Sequence, residues 1–264
     1  MLQTAQRGEP AAARPAAHDP EALESLLARA DQALPGLRCR AAAAGGPVVT
    51  AEPGHPGLPA LRDFWARAYP EAGPHYLSMR CWGLAIWQPI YLCVLAAHLD
   101  SRVPRLDGAR QPWSAQDGFT HGVWLPPHAP GGGALDQRIA HGAAEIARFC
   151  ARMRAAMLPV LAVPRKSADA TVAECVLAAV LLAARHARTD VAPTRAWADR
   201  WLSGIGVSGG CGLLAYQNAR GDPALMLDRK ICCHHFRRRD GDKCASCPKL
   251  TEDERIRRTQ ADAH

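Results

Sequence analysis

Four cysteines in one short segment of the sequence are the residues best suited to carry chemistry. Cys232 and Cys233 are adjacent, and Cys244 and Cys247 form a Cys-x-x-Cys pair after ten intervening residues. Two histidines and the three consecutive arginines 237–239 lie between the pairs. Thiolates are soft ligands, and four of them select zinc or an iron–sulfur cluster. The segment therefore predicts a metal centre.

The spacing of the thiols favours a 2Fe–2S cluster over a single zinc ion. Structural zinc sites usually take two Cys-x-x-Cys or similar pairs, and only one such pair is present here. The side chains of adjacent cysteines tend to diverge, which suits a cluster with two irons better than one tetrahedral ion. Zinc and a dithiol redox switch remain as alternatives at this point. The positive charges of Lys243 and of the arginine run would favour the reduced, more negative state of a cluster.

Charge and composition restrict the partners and the compartment. The net charge of +7 and the pI of about 9.0 suit anionic partners. Residues 1–20 lack the apolar stretch of a secretory signal, so we expect a cytoplasmic protein with reduced thiols. We expect the six scattered cysteines to be small buried hydrophobic residues: Cys39, Cys81, Cys93, Cys150, Cys175 and Cys211. Residues 81–97 carry no charge, and we interpret them as a kinked core helix, because Pro89 interrupts them.

Apolar periodicity predicts several helices that would position the cysteine segment. The pattern indicates helices from Asp19 as N-cap to Leu34, around 61–68, from Leu135 to about Met157, and around Trp197 and Trp201. Thr171 and Glu174 read as a capping box before a nearly all-apolar helix. The fold class is therefore mainly α with a small β hairpin or sheet, an α+β protein.

Alternation of apolar and polar residues predicts one strand. Phe119, His121, Val123 and Leu125 alternate with Thr120, Gly122 and Trp124, and His121 would be a core histidine on the buried face. A hairpin partner is expected at 103–106. The domain prediction is a disordered tail at 1–18, a mostly helical substrate-binding domain at 19–228, a 2Fe–2S module at 229–250 and a polar tail at 251–264.

The cysteine pattern resembles that of the FhuF-like ferric siderophore reductases. The resemblance rests on Cys-Cys-x10-Cys-x2-Cys with Gly241 before the second pair and Pro248 after it, preceded by the basic residues Arg229 and Lys230. A looser similarity lies in "RCWGLAIWQP" at 80–89. The resemblance implies a cytoplasmic protein with a 2Fe–2S cluster as cofactor. It also implies a ligand set, which in this sequence is Cys232, Cys233, Cys244 and Cys247.

The function implied by the resemblance is one-electron reduction of siderophore-bound Fe(III) to Fe(II). No dinucleotide fingerprint or P-loop is present, so we expect an external electron donor, either ferredoxin, flavodoxin or a flavoprotein reductase. Arg237, Arg238 and Arg239 would tune the cluster or dock an acidic carrier. The expected partners include no nucleic acid, and the expected location is the cytoplasm, with peripheral contact at the inner membrane. The rival hypotheses are a zinc-stabilised nucleic-acid-binding protein and a non-catalytic siderophore-binding protein with a structural metal.

Overall fold

The computed structural model describes residues 20–42 and 45–261, and within them helices dominate. The prediction of a disordered tail at 1–18 lies outside the described residues. Seven α-helices form in the described ranges: α1 (Pro20–Ala33), α2 (Gly57–Ala68), α3 (Gly73–Leu99), α4 (Leu135–Met157), α5 (Arg165–Ala187), α6 (Val191–Ile205) and α7 (Glu252–Ala261). This confirms the predicted α+β class, with small sheets beside the helices.

Helix α3 forms the centre of the core. It is apolar on nearly all sides and packs against α1, α2, α4 and α5. Pro89 lies inside it without ending it, and the Gln88 side chain donates to Gly36 O at 3.0 Å. The segment 70–99 and α5 are each long and apolar enough to cross a membrane, and most of each is buried inside the fold. The prediction of a core helix at 81–97 is thus confirmed, since the segment lies within α3.

The bounds of α4 confirm the helix predicted from apolar periodicity, whereas the start of α5 contradicts the predicted capping box. The bounds of α4 coincide with the predicted Leu135 and Met157. Helix α5 begins directly after Pro164, so Thr171 lies in its second turn and the predicted capping box is wrong. The Thr171 hydroxyl donates to Ser167 O at 3.0 Å, which is how a threonine inside a helix satisfies its own side chain.

The strands are short and form three small sheets. Their bounds are β1 (Arg40–Ala41), β2 (Val48–Thr50), β3 (Arg102–Val103), β4 (Arg110–Pro112), β5 (Trp124–Leu125), β6 (Gly131–Gly132), β7 (Cys211–Gln217) and β8 (Pro223–Arg229). The largest sheet has the order β1-β5-β4-β2, with β1 and β5 parallel and the other pairs antiparallel. β3 pairs with β6 in an antiparallel two-stranded sheet, and β7 and β8 form an antiparallel hairpin.

The strand predicted at 119–125 is only partly present, and its predicted hairpin is wrong. Only β5 is a regular strand there, and the segment 102–103 pairs with 131–132 instead. Gly122 adopts a φ of 146°, which interrupts the extended run, and a Cβ there would lie 2.8 Å from Arg38 O. His121 is not a core residue: its side chain is partly exposed and binds Asp117 at 2.9 Å.

The β7–β8 hairpin delivers the chain to the cysteine segment. It packs against α5, and its last residue, Arg229, pairs with Cys211. Helix α7 supports it from the other side. Its Arg255 binds Asp228 at 2.9 Å, and Arg258 donates to Lys243 O at 2.6 Å. The segment predicted as a polar tail at 251–264 therefore contains a helix that holds the cysteine segment in place.

Candidate metal centre

The four clustered cysteines form two pairs of thiols. The thiol of Cys233 lies close to that of Cys244, and the thiol of Cys232 lies close to that of Cys247. Each pair thus joins one member of the adjacent Cys-Cys dipeptide to one member of the Cys-x-x-Cys motif. The amide of Cys247 donates to Cys244 O at 3.0 Å, and this turn sets the separation of the second two cysteines.

The loop between the two motifs is tight because its backbone folds back on itself. His234 adopts a left-handed conformation with a φ of 57°, and its amide points at the Cys232 sulfur at 3.4 Å. Gly241 donates its amide to Arg238 O at 3.0 Å. A Cβ at Gly241 would lie 2.2 Å from His235 O, so a residue with a side chain cannot occupy this position without a shift of the backbone.

An ion pair with a buried arginine lies against the Cys233–Cys244 pair. Arg229 is 6% exposed, and its guanidinium donates to the Cys244 sulfur at 3.3 Å and binds Glu174 at 2.9 Å. The interaction with Cys244 is the main cause that lowers the pKa of Cys233, with Arg229 adding to it, and the same interaction raises the pKa of Cys244. The positive charge of Arg229 therefore favours the thiolate form of Cys233.

These residues fit a group that binds two thiolates at each of two metal ions. Two thiol pairs are present, and the His234 amide and the Arg229 guanidinium donate to sulfur atoms of different pairs. Such donors stabilise the negative charge of a thiolate-bound cluster. Among residues 20–42 and 45–261, no group of three or more His, Cys, Asp or Glu side chains has the arrangement of a site for a metal ion. The thiols are arranged as two pairs.

The three arginines of the loop have different surroundings. Arg238 stacks on Tyr69 at 4.1 Å and binds Asp240 at 2.8 Å. The amide of Arg239 donates to Glu71 at 2.9 Å, and its guanidinium reaches Ala68 O at 2.7 Å. Two of the arginines thus dock the loop on the segment between α2 and α3.

Arg237 is exposed, as Arg239 is, but it differs from both neighbours in its charge pairing. Within the described part of the chain it has no carboxylate partner. Of the three arginines it is the one best placed to meet an approaching acidic protein. The roles assigned to the three arginines from the sequence stay predictions.

A cavity of about 550 Å³ borders the Cys233–Cys244 pair. One face of α3 forms one wall of the cavity, α5 contributes Glu174 and Cys175, and Arg229 lies beside the thiols. The other thiol pair does not line it. One side of the candidate centre therefore opens to a space large enough for a small ligand.

Sequence reasoning missed Glu174 as a member of this site and underrated Arg229. Arg229 was visible in the sequence as a basic residue before the first cysteine pair, but its hydrogen bond to the Cys244 sulfur was not. Glu174 lies 55 residues before Arg229 and appeared only as part of a false capping box. No local signal identifies it, because its contact with Arg229 depends on how the hairpin packs on α5.

Comparison with known proteins agrees with the geometry at the cysteine segment. Residues 229–249 match the family model of the FhuF 2Fe–2S C-terminal domain. This confirms the resemblance seen in the sequence and the 2Fe–2S cluster as cofactor. The match covers the cysteine segment and leaves the helical part uncovered. Comparisons with curated proteins and with solved structures gave no match.

Proposed function

We propose that this protein is a ferric siderophore reductase that transfers one electron to chelated Fe(III) and releases Fe(II) in the cytoplasm. The observation that carries the proposal is a cavity beside one thiol pair of a segment that matches a FhuF 2Fe–2S domain. A chelate in that cavity would lie next to Cys233 and Cys244. Siderophores bind Fe(III) far more tightly than Fe(II), so reduction is a direct way to release the metal.

The chain's own residues bind and orient the reactants. The bound cluster supplies a one-electron relay between a reduced carrier and the chelate. One electron leaves the carrier and one reaches Fe(III), so no covalent bond to the chelate has to break. Arg229 keeps a positive charge beside the thiols, and its partner Glu174 fixes the guanidinium in place. Arg238 and Arg239 hold the loop on the helical domain.

The electron donor in this proposal is a separate acidic protein such as ferredoxin or flavodoxin, or a flavoprotein reductase. The exposed Arg237 suits such a partner, because opposite charges speed the encounter of electron carriers. The same surroundings weigh against the rival of nucleic-acid binding. The Arg238 and Arg239 guanidiniums are paired with Asp240 and Glu71, so their charge is already compensated.

Anaerobic turnover with a reduced carrier tests the proposal. The purified protein should contain iron and sulfide in equal amounts, and a ferrous-specific dye should trap Fe(II) from a ferric siderophore only when protein and reduced ferredoxin are both present. Cys232→Ser and Cys247→Ser should lose or destabilise the cluster and the activity with it. If both variants keep wild-type iron and the wild-type EPR signal on reduction, the ligand set is wrong.

Cys39→Ser is a matched control for these substitutions. Its thiol is buried far along the chain from the cysteine segment, and the hydrogen bonds of Cys39 to Asp31 are donated by the backbone amide, which serine keeps. Iron content and turnover should stay at the wild-type level in this variant. A cluster-loaded protein that releases no Fe(II) above the carrier-only background would refute the proposed activity.

A further inference from the structure

A glycine without a packing role lies in the wall of the cavity beside Cys233 and Cys244. Gly83 is in the middle of α3, where glycine lowers helix stability. A Cβ at Gly83 would meet no atom within 4 Å, so no neighbouring element requires the missing side chain. Gly142 of α4 shows the contrast, since a Cβ there would lie 2.6 Å from Trp201. The effect of Gly83 is to leave space in the cavity.

The same wall carries a positive charge between aromatic rings. Arg80, one turn before Gly83, places its guanidinium 4.0 Å from the centre of the Trp65 ring and 4.7 Å from that of Phe119. Its Nε is buried and has no hydrogen-bond partner in the described ranges. No carboxylate forms an ion pair with it there, whereas the Arg229 charge is compensated by Glu174. Among the described residues, Arg80 is therefore a positive charge in the cavity wall without a carboxylate partner.

The remaining lining is largely apolar or aromatic. Tyr76, Met79, Leu84 and Trp87 belong to the same face of α3 as Arg80 and Gly83. Aromatic rings stack on aryl groups, and a desolvated cation attracts an anion strongly. The volume of about 550 Å³ is within the range of small-ligand sites. This combination fits a bulky anion that carries aromatic rings.

We propose that this cavity is the chelate site and that it selects anionic, aryl-bearing ferric chelates, with a ferric catecholate as the simplest example. Arg80 supplies the countercharge, Phe119 and Trp87 supply the aromatic wall, and Gly83 leaves room for the ligand. A trihydroxamate complex has neither the negative charge nor the rings, so it binds more weakly. The inference rests on the proposed function. In turnover, one electron from the reduced carrier converts the bound Fe(III) to Fe(II), and no other atom is transferred.

Gallium chelates allow binding to be measured without turnover, because Ga(III) is not reduced under these conditions. The Ga(III) complex of a tris-catecholamide and that of a linear trihydroxamate are titrated into the cluster-loaded protein and followed by calorimetry and tryptophan fluorescence. The wild type should bind the tris-catecholamide complex at least about tenfold more tightly. Arg80→Gln should remove this preference and leave the weaker trihydroxamate binding unchanged.

Gly83→Leu tests the cavity without cutting into the core. The new side chain enters open space and improves helix propensity, so the unfolding temperature should be equal to the wild type's or higher. Binding of both gallium chelates should fall by at least about tenfold, while the visible spectrum of the cluster stays the same. Arg200→Gln is the matched charge control. Arg200 pairs with Asp136 on the surface and does not line the cavity. The Arg200→Gln protein should therefore bind both gallium chelates with wild-type affinity.

Two results would overturn the inference. One is wild-type affinity for the tris-catecholamide complex in either Arg80→Gln or Gly83→Leu. The other is a wild-type protein that binds the trihydroxamate complex as tightly as the tris-catecholamide complex or more tightly, or that binds neither. The proposed function is judged separately, by Fe(II) release. Reduction of ferric chelates without any effect of Gly83→Leu would reject the cavity and keep the reductase. Arg80-dependent binding without reduction would keep the cavity and reject the reductase.

Discussion

Replacement of Arg229 by glutamine is expected to lower the reduction potential of the bound 2Fe–2S cluster. Arg229 donates to the Cys244 sulfur at 3.3 Å and is buried, so its charge is poorly screened by water. An electron added to the cluster gains Coulomb energy from this charge. Glutamine keeps much of the volume and a hydrogen-bond donor but removes the charge.

The size of the shift depends on the partner of Arg229. At an effective dielectric of about 20, a positive charge about 6 Å away contributes about 2.8 kcal/mol, and the opposite charge of Glu174 about 10 Å away takes back about 1.7 kcal/mol. If Glu174 becomes neutral once Arg229 is lost, the net change is about 1.1 kcal/mol, or about 50 mV for one electron. If Glu174 stays charged, the fall approaches about 120 mV.

The companion variant Glu174→Gln should shift the potential in the opposite direction. It removes a negative charge and leaves Arg229 uncompensated, so the potential should rise by up to about 70 mV before screening. Anaerobic potentiometric titration, followed by visible absorbance and EPR, measures both shifts. Iron and sulfide contents must equal those of the wild type for the comparison to hold. A potential that stays within about 10 mV of the wild type in Arg229→Gln, or shifts of the same sign in both variants, would refute the electrostatic reasoning.

Three further outcomes are expected. Burial lowers the pKa of His98, which accepts a hydrogen bond from Trp201 at 2.9 Å, to about 4. Because the unfolded chain binds the proton near pH 6.5, the free energy of unfolding should fall by up to about 3 kcal/mol between pH 6.5 and 4. In urea titrations, His98→Gln should weaken this pH dependence. Truncation after Asp228 should leave a soluble helical protein, since the buried residues of the apolar core cluster extend only as far as Cys211. A cooperative loss of helical circular dichroism would show that the cluster segment is needed for folding. Arg237→Gln should slow reduction of the protein by ferredoxin at low salt in stopped-flow traces. Arg238→Gln should instead lower the temperature at which iron is lost, because it loosens the loop. Equal effects of the two substitutions on carrier kinetics would contradict these separate roles.

The sequence determined the features that depend on residues close together in the chain. The four cysteines predicted as cluster ligands are grouped within 16 residues, so their spacing favoured a 2Fe–2S cluster over a zinc ion. Helix α4 followed its apolar repeat to the residue at both ends, because a helix with one buried face is specified by its own periodicity. The β7–β8 hairpin was also visible in principle, as the turn sequence at 218–222 separates two apolar runs, but it was not predicted.

Only the tertiary structure decided which distant residues share the site. Gly83 and Arg80 lie about 150 residues before the cysteines, and they reach the cavity because α3 packs against α5, against which the hairpin also packs. The pairing of β3 with β6 and the contact of Glu174 with Arg229 have the same origin. Local alternation and helix-start signals carry no information on the partner of a strand or the neighbour of a helix face. The partner of a strand and the neighbour of a helix are set by the packing of the whole core, and the residue pattern of one segment does not indicate that packing.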